Sequence, residues 1–144
     1  MEPSPAVNGL LPDEIADVEQ LDVATCWSLL RSETIGRLAV RTSKGVDIFP
    51  VNFLVTGAMI FIRSAPGSKL VDIANEPEVA FETDGKHGRT RWSVVAKGTA
   101  ERMPYDTDIH DSGVLELRTL TSSAKWNYVR IVPASITGRR FRSR

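Results

Sequence analysis

The chain has 144 residues, enough for one domain with a real core. Eighteen basic residues balance eighteen acidic ones, and 42% of residues are hydrophobic. That balance argues against general attraction to nucleic acid or to a membrane surface. No apolar run reaches the length of a membrane span, and no charged-then-apolar signal segment opens the chain, so the expectation is a cytoplasmic protein. One cysteine cannot form an internal disulfide, and two histidines are too few for an evident metal cluster.

Residues 1–20 are rich in Pro, Ala and acidic residues with weak periodicity, and read as a mobile N-terminal arm. Residues 21–144 read as the folded domain. Asp22 is placed to cap a helix. Val23, Cys26, Trp27 and Leu30 follow at i, i+3, i+4 and i+7, a single helical face, with Leu21 able to staple onto Cys26. Cys26 is then a small buried hydrophobe rather than a nucleophile.

Ile35–Arg41 is a short strand candidate, turned at Ser43-Lys44-Gly45 into the β-branched and aromatic run Val46–Val55. Thr56-Gly57-Ala58 turns that run back into Met59–Ile62. A helix follows over Gly67–Asn75 and stops before Pro77. Val79–Thr83 is a fourth strand, Asp84–Arg89 a polar loop, and Thr90–Met103 a long fifth strand. Tyr105–Thr121 is ambiguous. Lys125–Val132 and Ile136–Phe141 read as two further strands, and the arginines 139, 140, 142 and 144 as a solvated basic tail. Short hairpin turns impose antiparallel pairing. The expected fold is therefore mainly β with short helices, a small antiparallel barrel or sandwich.

Two places in this pattern invite chemistry. Arg63-Ser64-Ala65-Pro66-Gly67-Ser68-Lys69 lies where a strand ends and a helix begins. The first turn of a helix carries unpaired N–H groups and suits an anion, whereas Lys69 in that turn opposes the helix dipole unless an anion is bound. The alternative is a plain Ser68 cap beside a solvated lysine. Pro50 is the second place, because proline cannot donate to a ladder in mid-strand. It marks either an edge strand guarded against aggregation or a backbone shelf for a flat ligand.

Ile35-Gly36-Arg37-Leu38-Ala39, Pro50-Val51-Asn52-Phe53, Phe61-Ile62-Arg63-Ser64 with Gly67-Ser68-Lys69-Leu70, and Trp92-Ser93-Val94-Val95 with Lys97-Gly98 occur in an order and spacing that resembles the pyridoxamine 5'-phosphate oxidase-like family. The resemblance covers about Leu21 to Phe141 and is nearest the small, nitroimidazole-resistance-like branch. It implies an FMN-binding split β-barrel that pairs as a homodimer, with a flavin in each cleft between protomers. It implies that Arg63, Ser64, Ser68 and Lys69 hold the flavin phosphate. The ring would lie along Pro50, Val51, Asn52 and Phe53, with Ser93 facing it and Trp92 stacking or filling the interface. Trp126, Arg139 and Arg140 do not match the spacing by which the true oxidases read a substrate phosphate, so vitamin-B6 oxidation is not expected.

The resemblance thus implies an FMN-dependent oxidoreductase acting on a small redox substrate, with no catalytic side chain assignable, no metal and no nucleic-acid partner. One alternative is a deazaflavin in the same cleft, its longer tail met by Arg37, Lys69 and the terminal arginines. The other is a flavin-binding or sensing protein without turnover. Haem, as in some relatives, is disfavoured by two histidines in loop-like segments.

Overall fold

The computed structural model describes residues 15–64, 68–103 and 127–143, and of residues 15–17, 64, 68–71, 127 and 143 it describes the backbone. Among the described residues, seven strands and two helices follow in the order β1 (Ile15–Gln20), α1 (Val23–Arg31), β2 (Ile35–Thr42), β3 (Gly45–Thr56), β4 (Met59–Ser64), α2 (Ser68–Asn75), β5 (Glu78–His87), β6 (Thr90–Arg102) and β7 (Asn127–Ser143). All pairings are antiparallel. The sheet runs β1-β7-β4-β3-β2-β5-β6, and β6 also pairs with β7, so six strands close on themselves. Closure leaves few exposed edges. The architecture is a split β-barrel.

Strand β7 makes the closure possible. Its first residues pair with β4 over Asn127–Ile131, and its last pair with β1 over Arg139–Ser143, while β6 runs along its other side. The sequence reads as two strands there because Pro133 and Ala134 interrupt the pattern. The interruption is a register shift between Lys97 and Gly98, where Gly98 faces Pro133 and Lys97 faces Ser135. A β-carbon on Gly98 would lie 2.1 Å from the Val132 carbonyl oxygen, so only glycine permits this approach. The terminal arginines are accordingly not a tail: Arg139, Arg140 and Arg142 are ladder residues, and Arg144 lies outside the described residues. Likewise the arm expected over 1–20 ends in a strand, since Ile15–Gln20 forms β1.

The core lies inside the barrel. Val40, Phe53, Ile60, Ile62, Phe81, Val94, Val129 and Ile131 are buried, one from every second position of their strands. Each contributes roughly 1.5–3 kcal/mol by leaving water. Helix α1 closes one end of the barrel with Cys26 and Leu30, both fully buried. Its start is fixed as the sequence implies: Asp22 Oδ1 accepts from Thr25 N–H at 2.7 Å. Hydrogen bonding from the Thr25 side chain, then from its backbone N–H, holds the exposed Asp22 carboxyl below its ordinary value. Leu21 N–H donates to the Gly138 carbonyl at 3.0 Å, and Cys26 Sγ packs against Gly138 where a β-carbon would stand 2.7 Å away. Burial, with the nearby Asp22 charge, pushes the Cys26 thiol up from its ordinary value, which keeps it protonated and inert.

Candidate ligand shelf on strand β3

The site begins with a change of partner along β3. Residues Gly45–Asn52 pair with β2, whereas the β4 ladder covers only Phe53–Thr56. Among the described residues, therefore, the β4 side of Gly45–Asn52 carries no strand. The alternation of an antiparallel ladder says which groups face that open side. Phe53 N–H donates to the Thr34 carbonyl at 3.0 Å, so every second residue back from Phe53 bonds towards β2. Val51 and Phe49 belong to that set. Ile48, Pro50 and Asn52 belong to the other, and their backbone groups point to the open side.

Pro50 is thereby explained. It stands opposite Arg37 in a pair that exchanges no ladder hydrogen bonds, so its missing N–H costs the sheet nothing. Strand β3 is not an edge of the whole sheet, but it is an edge locally. Ile48 N–H, of the same parity, is met by Asp47 Oδ1 at 2.8 Å instead of by a strand.

The side chains of this shelf divide between two faces. Val51 and Phe53 point into the core at 5% and 2% exposure, while Pro50 and Asn52 point outward. Arg63 follows Ile62, which pairs with Phe53, so Arg63 occupies the register position next to Asn52. It is half-buried, with Nε shut away from solvent. Ser64 ends β4 and α2 begins at Ser68, so Lys69 is the second residue of that helix, as the sequence implies. The barrel thus brings Pro50, Asn52, Arg63 and the β4–α2 corner to one region. Residues 65–67 lie outside the described residues.

Strand β6 distributes its two candidates differently. Trp92 shares the inward face with Val94 and Ala96 and is 7% exposed, its ring pressed against Gly85. Ser93 faces outward, opposite Asp84 on β5 and Arg139 on β7. The two residues do not share a surface. The segments Pro50–Phe53 and Trp92–Val95 send their large apolar residues Val51, Phe53, Trp92 and Val94 inward and show Pro50, Asn52, Ser93 and Val95 outward. Trp126 and His110 lie outside the described residues, and His87 is exposed at the end of β5.

One cluster on the outer face has no signal in the sequence. Arg37 Nε donates to Glu82 Oε2 at 2.7 Å and Nη2 to Glu82 Oε1 at 3.1 Å, and Nη2 also meets Asp84 Oδ1. The hydrogen bond that Arg37 donates to Glu82 leads the causes that push its guanidinium above its ordinary value. Arg37 is thus held by two carboxylates, which leaves no net positive charge there for the tail of a polyanionic cofactor. Among the described residues, no group of three His, Cys, Asp or Glu side chains has a metal-binding arrangement, and no helix is long and apolar enough to cross a membrane.

This fold has relatives. A sequence model of the family described as pyridoxamine 5'-phosphate oxidase matches residues 22–140, and the chain belongs to that family. A Corynebacterium glutamicum protein, structurally characterised as a candidate pyridoxamine 5'-phosphate oxidase, is 42% identical over 88% of this chain and 99% of its own, with a TM-score of 0.79. An FAD-binding protein from Mycobacterium smegmatis is 35% identical over 86% of this chain and 98% of its own, with a TM-score of 0.73. An uncharacterized protein of Mycobacterium tuberculosis is 34% identical over 89 residues, 62% of this chain and 81% of that protein. A candidate 5-nitroimidazole resistance protein from Bacteroides thetaiotaomicron, 13% identical with a TM-score of 0.72 over 88% of this chain and 90% of its own, shares the fold.

Proposed function

We propose that the protein binds a flavin nucleotide on the β3 shelf and acts as an oxidoreductase towards a small acceptor. The observation that carries this reading is the open side of β3 at Pro50–Asn52, next in register to Arg63. A planar ring needs an extended backbone edge with no competing strand, and a phosphate needs a cation beside helix N–H groups. The residues present fit both needs. Pro50 and Asn52 would hold the ring, with Val51 and Phe53 fixing the strand from inside. Arg63, Ser64, Ser68 and Lys69 would hold the phosphate, and Ser93 would face a ring from across a protomer boundary. A bound flavin supplies the hydride or electron transfer, and the protein supplies position, electrostatics and exclusion of water.

FMN is the cofactor favoured by a single phosphate corner. FAD is the second reading, because a relative 35% identical over most of both chains is an FAD-binding protein. A deazaflavin is disfavoured by the Arg37–Glu82–Asp84 cluster, which neutralises one of the cations its tail would use.

The active form would be a homodimer. Val46 and Ile48 of β3 are 76% and 60% exposed on the outward face, and Ile35 is 45% exposed beside Asn52. Val46 lines, and Ile48 stands opposite Ala39 at the edge of, a groove of about 420 Å³ whose walls also include Ala80, Ala134, Ser135 and the charged Arg41, Glu78 and Lys97. Exposed aliphatics beside a groove lined by alanines and by charges of both signs offer a surface that can pair with a second copy about a two-fold axis.

Flavin titration followed by fluorescence quenching tests the proposal. FMN should bind more tightly than riboflavin or a deazaflavin, and the loaded protein should consume a reduced nicotinamide in the presence of an acceptor. Failure to bind any flavin overturns the reading; binding without turnover leaves a sensing or carrier protein; a preference for deazaflavin replaces the cofactor.

A further inference from the structure

The tip of the β5–β6 hairpin and the end of β7 concentrate cations in a chain that has no net charge. Register does the concentrating. Lys86 pairs with Arg91, Ser93 with Arg139, Trp92 with Arg140 and Thr90 with Arg142. The tip is not the long polar loop that Asp84–Arg89 resembles in sequence. Both strands run to a two-residue turn at Gly88-Arg89, with Gly88 at φ 64°, and so hold these side chains on a rigid ladder. Lys86, Arg91 and Arg139 are exposed and form no ion pair with any described side chain. Lys86 directly opposite Arg91 is a like-charge pair that weakens the hairpin. Folding has no use for that arrangement, whereas a bound polyanion would relieve it.

Two hollows meet at Lys86 and Trp92. One, of about 480 Å³, lies between the end of α1 and the hairpin; Leu29 and Trp92 give it apolar walls, and Glu33, His87 and Arg140 reach it as well. Its size is in the range of roughly 300–1,000 Å³ usual for small-molecule sites. The other, of about 320 Å³, adds Arg91 and Asp84. The acidic groups are accounted for: Asp84 is held by Arg37, and Glu19 engages Arg140 at 3.0 Å. Glu33 remains in the first hollow only.

From this arrangement we infer that the paired hollows form a binding site for an adenosine diphosphate moiety. The base lies against Leu29 and Trp92, Glu33 accepts from the ribose hydroxyls, and the pyrophosphate lies over Lys86 and Arg91. A carboxylate beside the ribose is the usual way to select an unmodified diol and to reject a ribose phosphate. Two sources carry this moiety, FAD and a reduced nicotinamide dinucleotide serving as electron donor. The inference does not depend on the β3 shelf, which shares none of these residues.

Calorimetric titration of the full chain with ADP tests it. ADP should bind at least about tenfold more tightly than either adenosine or pyrophosphate, since each occupies one hollow. The double variant Lys86→Ala, Arg91→Ala should weaken ADP by about tenfold or more, through loss of charge-assisted contacts, with an unchanged circular dichroism spectrum and unchanged FMN affinity. Glu33→Gln should improve binding of a 2'-phosphorylated ADP relative to ADP. Displacement of ADP by FAD or by the reduced dinucleotide then identifies the source. Absence of ADP binding at millimolar concentration, indifference to the double variant, pyrophosphate binding equal to ADP, or displacement of ADP by single-stranded DNA through the same residues would each overturn the inference. Loss of FMN binding with ADP binding intact would count against the β3 shelf alone.

Discussion

The ring of Phe81 lies so close over Gly36 that a β-carbon on residue 36 would stand 2.3 Å from Phe81 Cζ and 2.8 Å from the Glu82 carbonyl oxygen. The same ring meets Phe53 edge-on, with centroids 4.8 Å apart and planes at 67°. Gly36, Phe81 and Phe53 therefore form a stack across the barrel interior. Phe53 is the residue at which β3 changes partner, so the stack fixes where the ligand shelf begins.

Gly36→Ala should destabilise the protein by roughly 1–3 kcal/mol, the usual range for overpacking a tight core. Backbone atoms as well as the ring are in the way, so the side chain alone cannot yield. Combining it with Phe81→Leu should recover part of the loss relative to the sum of the single changes. Urea unfolding of the four proteins of that cycle measures the coupling. Strict additivity would show that the stack does not hold Gly36 in place.

Cys26 gives a test of burial by pH. Its thiol is raised above the ordinary value of 9.0, first by burial and then by the Asp22 charge. The unfolded chain then loses its thiol proton before the folded one does. Stability from this group is complete below the unfolded value and falls as pH rises past about 9. The unfolding midpoint of the wild type should decline more steeply than that of Cys26→Ala between about pH 8 and pH 10. The folded thiol should also resist disulfide reagents until the protein unfolds. Equal alkaline slopes for the two proteins would mean that the thiol ionises in place.

Local signals were legible in the sequence where one residue sufficed to state them. Gly45 and Gly57 adopt positive φ, 120° and 61°, at the two hairpin turns read between β2, β3 and β4. Pro50 was legible as an anomaly because a missing N–H is a property of the residue itself. What needed a partner was not legible. Strand β1 is held by its ladder to β7, and among its described side chains, Val18, Glu19 and Gln20, none is buried, so they give no alternating signal. The unity of β7 depends on Gly98 accepting the bulge at Pro133 and Ala134. Arg37 looks like an available cation until Glu82, 45 residues away, is brought beside it. The direction of Trp92 was equally hidden, because only Gly85 opposite leaves room for the ring.

The proposed homodimer can be separated from the fold with Val46→Glu and Ile48→Lys together. Both side chains are mostly exposed, so the monomer should keep its unfolding midpoint. Light scattering should show the mass fall from two chains to one. Flavin affinity should fall with it, because a cleft shared between protomers is lost on dissociation. A wild type that is monomeric at micromolar concentration with flavin bound would remove the dimer from the proposal.

Lys69 carries the sharpest test of the phosphate corner. It is the second residue of α2, at the positive end of the helix dipole, and α2 has no acidic residue in its first turn to offset it. If it meets a cofactor phosphate, Lys69→Ala removes a charge-assisted hydrogen bond of roughly 1.5–3 kcal/mol. At about 1.4 kcal/mol per tenfold, FMN affinity should drop roughly ten- to a hundredfold. Riboflavin has no phosphate and should bind as before. Folding should be unchanged or slightly favoured, since a cation leaves a helix N-terminus. Fluorescence titration of both ligands distinguishes the outcomes. Unchanged binding of both would make Lys69 a solvated surface residue, and equal weakening of both would mean that the substitution distorts the shelf instead of removing a phosphate contact.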